Sequence, residues 1–305
     1  MDDVTDVVFR RVILRAGRPD IFFTEFTNAA SFCSMRGEIS TRGRLTFTPD
    51  EQPVVAQIWG TNPDNFREMT QRMFVRGFAG VDINMGCPDK TVVKNGAGSG
   101  LIENPDLAVE LIRAAKAGAS SKIPISVKTR LGSRNVEEFR DWLPKILREN
   151  VANLTVHLRT RKEMSKVPAH FELIPEIVRL RDEIAPITKI TINGDILSRQ
   201  HSLELFAKYP GVDGFMIGRG VFANPFCFTS LENPTREQLL DLLNYHLDQF
   251  DKFREVAPGV SRRFDPLKHF FKIYVNNFDG AKELREKMMA CKTTDEVREI
   301  MKNSN

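Results

Sequence analysis

Val81-Asp82-Ile83-Asn84 is a short, largely apolar run that ends in a polar residue, and Met85-Gly86-Cys87-Pro88 follows it as a turn-forming loop. Six other runs have the same form. They are Ile21-Phe22-Phe23-Thr24-Glu25-Phe26, Pro53-Val54-Val55-Ala56-Gln57-Ile58-Trp59, Ile125-Ser126-Val127-Lys128-Thr129-Arg130, Leu154-Thr155-Val156-His157-Leu158, Lys189-Ile190-Thr191-Ile192-Asn193-Gly194 and Phe215-Met216-Ile217-Gly218-Arg219. Strands buried on both faces of a parallel sheet read this way, because neither face is left for an alternating polar row.

Helical patterns lie between the runs. Asn65 to Gly77 carries Phe66, Met69, Met73 and Phe74 on one stripe. Asn104-Pro105 supplies a cap and a first-turn proline ahead of Leu107, Val109, Leu111 and Ile112. Val136 to Glu149 and Phe171 to Ile184 repeat the theme. Successive strand ends are 25 to 44 residues apart, one βα unit per step. Seven units in series predict an α/β chain of the TIM (β/α)8 barrel class rather than a doubly wound sheet. Only four residues precede Thr5-Asp6, which would cap a helix Val7 to Ala16, so the first strand is expected to be missing or truncated. That would leave two unpaired edges. After about residue 230 the strand signal stops and Leu239, Leu242, Leu243, Leu247 and Phe250 recur at helical spacing. The expected organisation is a barrel over 1–228 and a small helical bundle over 229–305, with helices near Asp265 to Val275, Gly280 to Met289 and Thr294 to Met301.

The chain has 305 residues, 41% hydrophobic and 28% charged, within the range of an ordinary globular protein. No apolar run approaches the roughly 18 residues that would span a bilayer, so no membrane association is expected. The start is charged from Asp2 onward, unlike a secretory leader. Cys33, Cys87, Cys227 and Cys291 contain no C-x-x-C pair, which argues against zinc or a disulfide framework and for a reducing cytoplasm. The net charge of +4 and pI near 8.9 suit a polyanionic partner without requiring one.

In a barrel, functional groups sit where strands end. Here those positions hold Gln57, Asn84, Lys128, Arg130, His157, Asn193, Asp195 and Arg219. Any one of them could be a plain hydrogen bond to a loop; a purely structural barrel would not need the whole ring. Asn193-Gly194-Asp195 and Gly218-Arg219-Gly220 are paired glycine turns whose amides can converge on a phosphate, as in a phosphorylated cofactor such as FMN. Lys128 would set a cation beside a flavin, and Gln57 could bond a flavin's pyrimidine edge. Lys128 could equally be half of an ion pair. A cysteine thiol with an ordinary pKa near 8.5 is protonated at neutral pH, so Cys87 between Gly86 and Pro88 suits a proton donor, although a lone cysteine is more commonly structural.

At this segment the sequence resembles the tRNA-dihydrouridine synthase family, bacterial type. Its signature D-[ILV]-N-x-G-C-P, followed by a small or apolar residue and G-[SAC], is met by Asp82 to Pro88, Val92, Gly98 and Ser99. Met1-Asp2-Asp3-Val4-Thr5-Asp6 with Phe9-Arg10, Gln57, Val127 to Arg130, Val156-His157 with Arg159-Thr160, Ile192 to Asp195, Ile217 to Gly220, Leu267-Lys268 and Leu284-Arg285 resemble further family motifs in order. The family's Ala-Pro before Met1 is absent, Leu158 stands where it usually has Gly, and a Tyr common downstream is missing between Arg161 and Ala169.

The resemblance implies FMN held by Met1, Gln57, Lys128, His157, Asn193, Gly194, Asp195, Gly218 and Arg219. It implies Cys87 as the proton donor to C5 of a uracil, Asn84 beside that uracil, hydride delivered to C6, NADPH as reductant and tRNA as substrate. For the RNA, Arg130, Arg159, Arg161, Lys162 and Lys166 border the mouth, and Arg262, Arg263, Lys268, His269 and Lys272 form a second cluster. The helical part has 13 basic and 13 acidic residues after Pro225, so any basic surface there is local. A monomer without metal is expected. Two rival readings are an FMN barrel oxidoreductase of a small pyrimidine, similar to a dihydroorotate dehydrogenase, and a non-catalytic tRNA-binding relative.

Overall fold

A computed structural model describes Met1 and residues 3–276 and 278–303; Asp2 of the opening motif lies outside them. All strands belong to one parallel sheet: β1 (Phe22–Phe23), β2 (Thr27–Asn28), β3 (Val54–Trp59), β4 (Gly80–Met85), β5 (Ile125–Arg130), β6 (Asn153–His157), β7 (Lys189–Asn193) and β8 (Gly214–Met216). β1 falls within the expected Ile21 to Phe26 run, β2 follows just after it, and both pair with β3. From β3 to β8 each strand pairs with the next. No pairing among the described residues joins β8 to β1 or β2, and no strand precedes the first helix, Val7–Ala16. The architecture is a (β/α) barrel sheet open at one seam, where a first strand would lie.

The local rules of the sequence hold. Asp6 accepts a hydrogen bond from the Phe9 amide and starts Val7–Ala16. Asn62 caps Pro63–Val75 and Asn104 caps Pro105–Ala119, each with proline in the first turn. Some boundaries moved. Val136 to Glu149 becomes a 3₁₀ turn Val136–Glu138 and a helix Phe139–Leu147, and Phe171 to Ile184 becomes a turn Phe171–Leu173 and a helix Ile174–Ile184. The expected strand through Arg219 stops at Met216, so Ile217 to Arg219 form a loop at the mouth. The expected helix Asp265 to Val275 is a 3₁₀ turn Asp265–Phe270 and one α-turn Phe271–Tyr274.

Beyond the sheet lie the helices Arg236–Asp251, Phe253–Val256, Ala281–Ala290 and Thr294–Lys302. The apolar core continues into them from the barrel through Val7–Ala16. Phe9 is buried, with its ring 4.7 Å from Phe270, 6.0 Å from the His246 imidazole and 6.3 Å from Phe222, which follows β8. Beside it, buried Arg10 donates to Glu51 at 2.7 Å and to the carbonyls of Thr5 and Thr46, tying the helix to the segment that enters β3. No helix among the described residues is long and apolar enough to cross a membrane.

Truncating Phe9 removes one ring from both packing groups. Phe9→Ala is expected to cost about 3–5 kcal/mol and still unfold in a single step; a urea titration that resolves two transitions would show that barrel and helices do not share this core.

Candidate active site at the barrel mouth

Asp82 lies mid-strand in β4, 0% exposed, between Val81 and Ile83. Register places it opposite Gln57 of β3 and Ser126 of β5. Ser126 Oγ donates to one carboxylate oxygen at 2.6 Å and Gln57 Nε2 donates to the other at 2.8 Å. Asn84 Nδ2 then donates to Gln57 Oε1 at 3.0 Å, and Asn84 Oδ1 accepts the amides of Gly86 at 3.1 Å and Cys87 at 2.9 Å. Burial pushes the Asp82 carboxyl up to about 6; the bonds from Ser126 and Gln57 and the Lys128 charge oppose this. At pH 7 Asp82 therefore acts chiefly as an acceptor. That fixes which end of the Gln57 amide faces it, hence the Asn84 amide, hence the Cys87 backbone.

The Cys87 loop is closed from its other side. Ser99 donates to the Cys87 carbonyl through its amide at 3.0 Å and its hydroxyl at 2.8 Å. Gly98 has φ +57°, and a Cβ there would lie 2.8 Å from the Cys87 carbonyl oxygen, so only glycine lets this strap approach. Arg130 donates to the Gly86 carbonyl at 2.7 Å and to the carbonyls of Thr160 and Met164 at 3.2 Å.

Lys128 is half-buried at the end of β5, and no hydrogen-bond acceptor for its Nζ occurs among the described residues. Burial pushes it down to about 8, and Arg130 adds to this against the charges of Asp82 and Cys87. His157, at the end of β6, is held well below the ordinary imidazole range by burial and by Lys128, Arg130, Arg159 and Arg219. It is neutral, and its Nε2 lies 3.2 Å from Arg159 Nη1, which can only donate. Nε2 therefore accepts, and Nδ1 carries the proton. Gly194 has φ +112°, and a Cβ there would meet the imidazole at 2.9 Å.

Several residues expected at a substrate are committed to the fold. Arg159 is 2% exposed and bonds the Val167 carbonyl, His157 and Asp195. Arg130 is equally buried in the loop carbonyls named above. Arg262 pairs with Asp6 at 2.5 Å and stacks over Phe250 and Phe253. Lys268 pairs with Asp265 at 3.1 Å and covers Phe264. The sequence showed their charge but not that carbonyls and carboxylates fold around it. Arg263 is exposed. Arg219 is 61% exposed and only 3.6 Å from Asp195. Burial opposes ionisation of Asp195, but Arg159, the Ala169 amide and Arg219 hold it below the usual carboxylate range. Asn193 donates to the Met216 carbonyl, linking the β7 and β8 turns, and a Cβ at Gly218 would touch only Asn193 Nδ2, at 3.9 Å. Met1 is half-buried against the core, with its ammonium 2.8 Å from Thr5 Oγ1. Asp82 was quoted in the motif but not singled out; a carboxylate in an apolar run was the available signal. No cluster of metal-ligating side chains occurs among the described residues.

His170 provides a contrast on the same segment. Burial lowers it, but hydrogen bonds to Glu163 and Glu172 outweigh that and raise it. Nitrogen-15 NMR is expected to show His157 as the Nδ1–H tautomer without titration between about pH 5 and 8, while His170 titrates above its ordinary value near 6.5. Arg159→Ala should restore mixed tautomers at His157; an unchanged tautomer would remove Arg159 from that role.

The chain matches the sequence model described as "Dihydrouridine synthase (Dus)" over residues 1–304. It is 58% identical over 302 residues to "Probable tRNA-dihydrouridine synthase 2" of Bacillus subtilis (strain 168), covering 99% of this chain and 91% of that protein. It is 54% identical over 302 residues to "Probable tRNA-dihydrouridine synthase" of Staphylococcus aureus (strain COL), covering 99% and 90%. Among solved structures, histamine dehydrogenase from Rhizobium sp. 4-9 superposes with TM-score 0.55 at 12% identity, over 80% of this chain and 46% of that one, a likeness of fold alone. With a family match over nearly its whole length and relatives above half identity, the chain belongs to the dihydrouridine synthase family.

Proposed function

We propose that this protein reduces uridines of tRNA to 5,6-dihydrouridine, with FMN in the barrel mouth, NADPH as reductant and Cys87 as proton donor. The observation that carries the reading is the hydrogen-bonded line from buried Asp82 through Gln57 and Asn84 to the Cys87 amide. It holds a thiol, rather than a carboxylate, at the mouth where the cations gather.

The residues present fit an anionic flavin. Lys128 Nζ has no acceptor among the described residues, Arg219 is largely exposed, and of the two glycine turns Gly194 packs against His157 while Gly218 would bring a Cβ near only Asn193 Nδ2, at 3.9 Å. In this reading Arg219 and the two turns hold the phosphate, and Lys128 and His157 Nδ1–H face the ring system. Asp195 acts by orienting Arg159 and Arg219, because a carboxylate against a phosphate would repel it. Gln57 uses its oxygen and one amide hydrogen inside the protein, so its second amide hydrogen is what it offers outward. Bound FMN supplies the hydride that reaches C6 of the uracil.

The protein's own part is the proton. The Cys87 thiol gives its hydrogen to C5 as the C5–C6 double bond is lost, and the thiolate left behind faces Lys128 and Arg130. Solvent restores the thiol. The uridine must leave its stack, which costs a few kcal/mol and least in a loop. In this reading Lys162, Lys166 and Arg263, all exposed, contact the RNA backbone, with 1–228 as catalytic barrel and 229–305 as the gripping part. Four cysteines without a disulfide suit action in the cytoplasm.

Cys87→Ala is expected to keep FMN and still oxidise NADPH while dihydrouridine formation in tRNA falls about 10²–10⁴-fold; full product from this variant would end the proton-donor assignment. Asn84→Ala leaves two amides of the loop without their acceptor. Its dihydrouridine yield should fall at least tenfold with FMN content unchanged, measured by absorbance and nucleoside analysis.

A further inference from the structure

A second polar pocket opens beside the Cys87 loop, outside the residues discussed so far. It spans about 350 Å³, part of it open to solvent, between the ends of β2 and β3 and the turn after helix Lys90–Lys94, and Trp59, Asn28, Asn62, Asn65, Asn95 and Ala97 line it. Trp59 is two residues beyond Gln57 on β3 and so leans to the same, inner side. Its ring is half-exposed, packs edge-on against Phe26 at 6.2 Å, and its indole N–H has no acceptor among the described residues. The far wall is the strap that holds the thiol: Ala97 precedes Gly98 and Ser99, both in contact with the Cys87 carbonyl.

The lining is selective in its chemistry. Asn28 Oδ1 is taken by the Ser31 amide, and Asn62 Oδ1 by the amides of Asp64 and Asn65. Their NH₂ groups are therefore what they offer to the pocket. None of the four asparagine NH₂ groups has an acceptor among the described residues, and the lining contains no carboxylate. A flat aromatic surface with several hydrogen-bond donors fits a nucleobase, whose edge carries carbonyl and ring-nitrogen acceptors. Exposed Lys90 and Lys94 lie four residues apart on the intervening helix with no acidic partner among the described residues. Such a pair is mildly self-repelling, and phosphates would relieve it.

We propose that this pocket takes a nucleotide flanking the reduced uridine, its base on Trp59 and its edge against the asparagine amides, with Lys90 and Lys94 on the adjoining phosphates. The assignment rests on the proposed tRNA reaction, and it turns a site for one uracil into one that also reads the neighbouring nucleotide.

The test compares wild type with Trp59→Ala, Trp59→Phe and Asn95→Asp on unmodified tRNA, by steady-state kinetics and by filter binding. Trp59→Ala should raise KM and the dissociation constant about tenfold, the loss of one base–aromatic stack, while kcat at saturating tRNA stays within about twofold. Trp59→Phe should restore most of the affinity. Asn95→Asp, a surface change that spares packing, should weaken binding to a similar degree. Replacing Lys90 and Lys94 together with Gln should flatten the salt dependence by about 1.4 in slope, whereas Trp59→Ala should leave the slope unchanged. Unaltered tRNA affinity in Trp59→Ala and Asn95→Asp would overturn the proposal, and so would loss of FMN from either variant, since the pocket would then belong to the flavin. Binding is read without turnover, so the pocket stands or falls even if wild type forms no dihydrouridine, a result that would instead overturn the proposed reaction.

Discussion

The carboxylate of Asp82 sits in the middle of a parallel sheet with no solvent, and the rest of the site is arranged around satisfying it. An isolated buried charge is expensive, and here it is met by a hydroxyl, an amide and the nearby Lys128 cation. Because an ionised carboxylate only accepts, each amide next in line has one permitted orientation. The order passes from Asp82 to Gln57, to Asn84, and to the backbone on which Cys87 hangs. The Cys87 loop is thereby referenced to the rigid sheet, the precision that the proposed proton donor would require.

Charge at the mouth is divided by burial. Arg130 and Arg159 are enclosed by carbonyls and a carboxylate, and they stiffen loops and set the state of neighbours. Lys128 has no hydrogen-bond acceptor among the described residues, and Arg219 is exposed with Asp195 3.6 Å away. His157 lies near all four, and burial together with their charges holds its pKa well below the ordinary imidazole range, so it is neutral at pH 7. One cluster of basic residues thus does two different things, and only the position of each nitrogen separates them.

The helices after the barrel are joined to it by Phe9 and its aromatic neighbours, and by Arg262, which secures the start of the first helix through Asp6. In the C-terminal region Arg262, Lys268 and Arg298 pair with carboxylates within the fold, while most of the other basic residues, Arg263 among them, stay exposed.

By itself the sequence determined the seven strand positions, the order of the βα units, the helical C-terminal region and the loop carrying Cys87. These follow from local physics: apolar runs ended by polar residues, caps, first-turn prolines and glycine turns. It also revealed the ring of polar strand ends, because a strand's end is visible wherever its apolar run stops. What only the tertiary structure decided is which of those groups are spent. Gln57 and Asn84 are 27 positions apart, yet they share a hydrogen bond because parallel register brings β3 beside β4. Arg159 and Asp195 meet because β6 lies beside β7. Tertiary packing also set the His157 tautomer and drew four asparagines and a tryptophan from strands, a helix and turns around one pocket. A linear pattern encodes each residue's own tendency, but a hydrogen bond needs two partners, and their meeting is fixed by how the strands align.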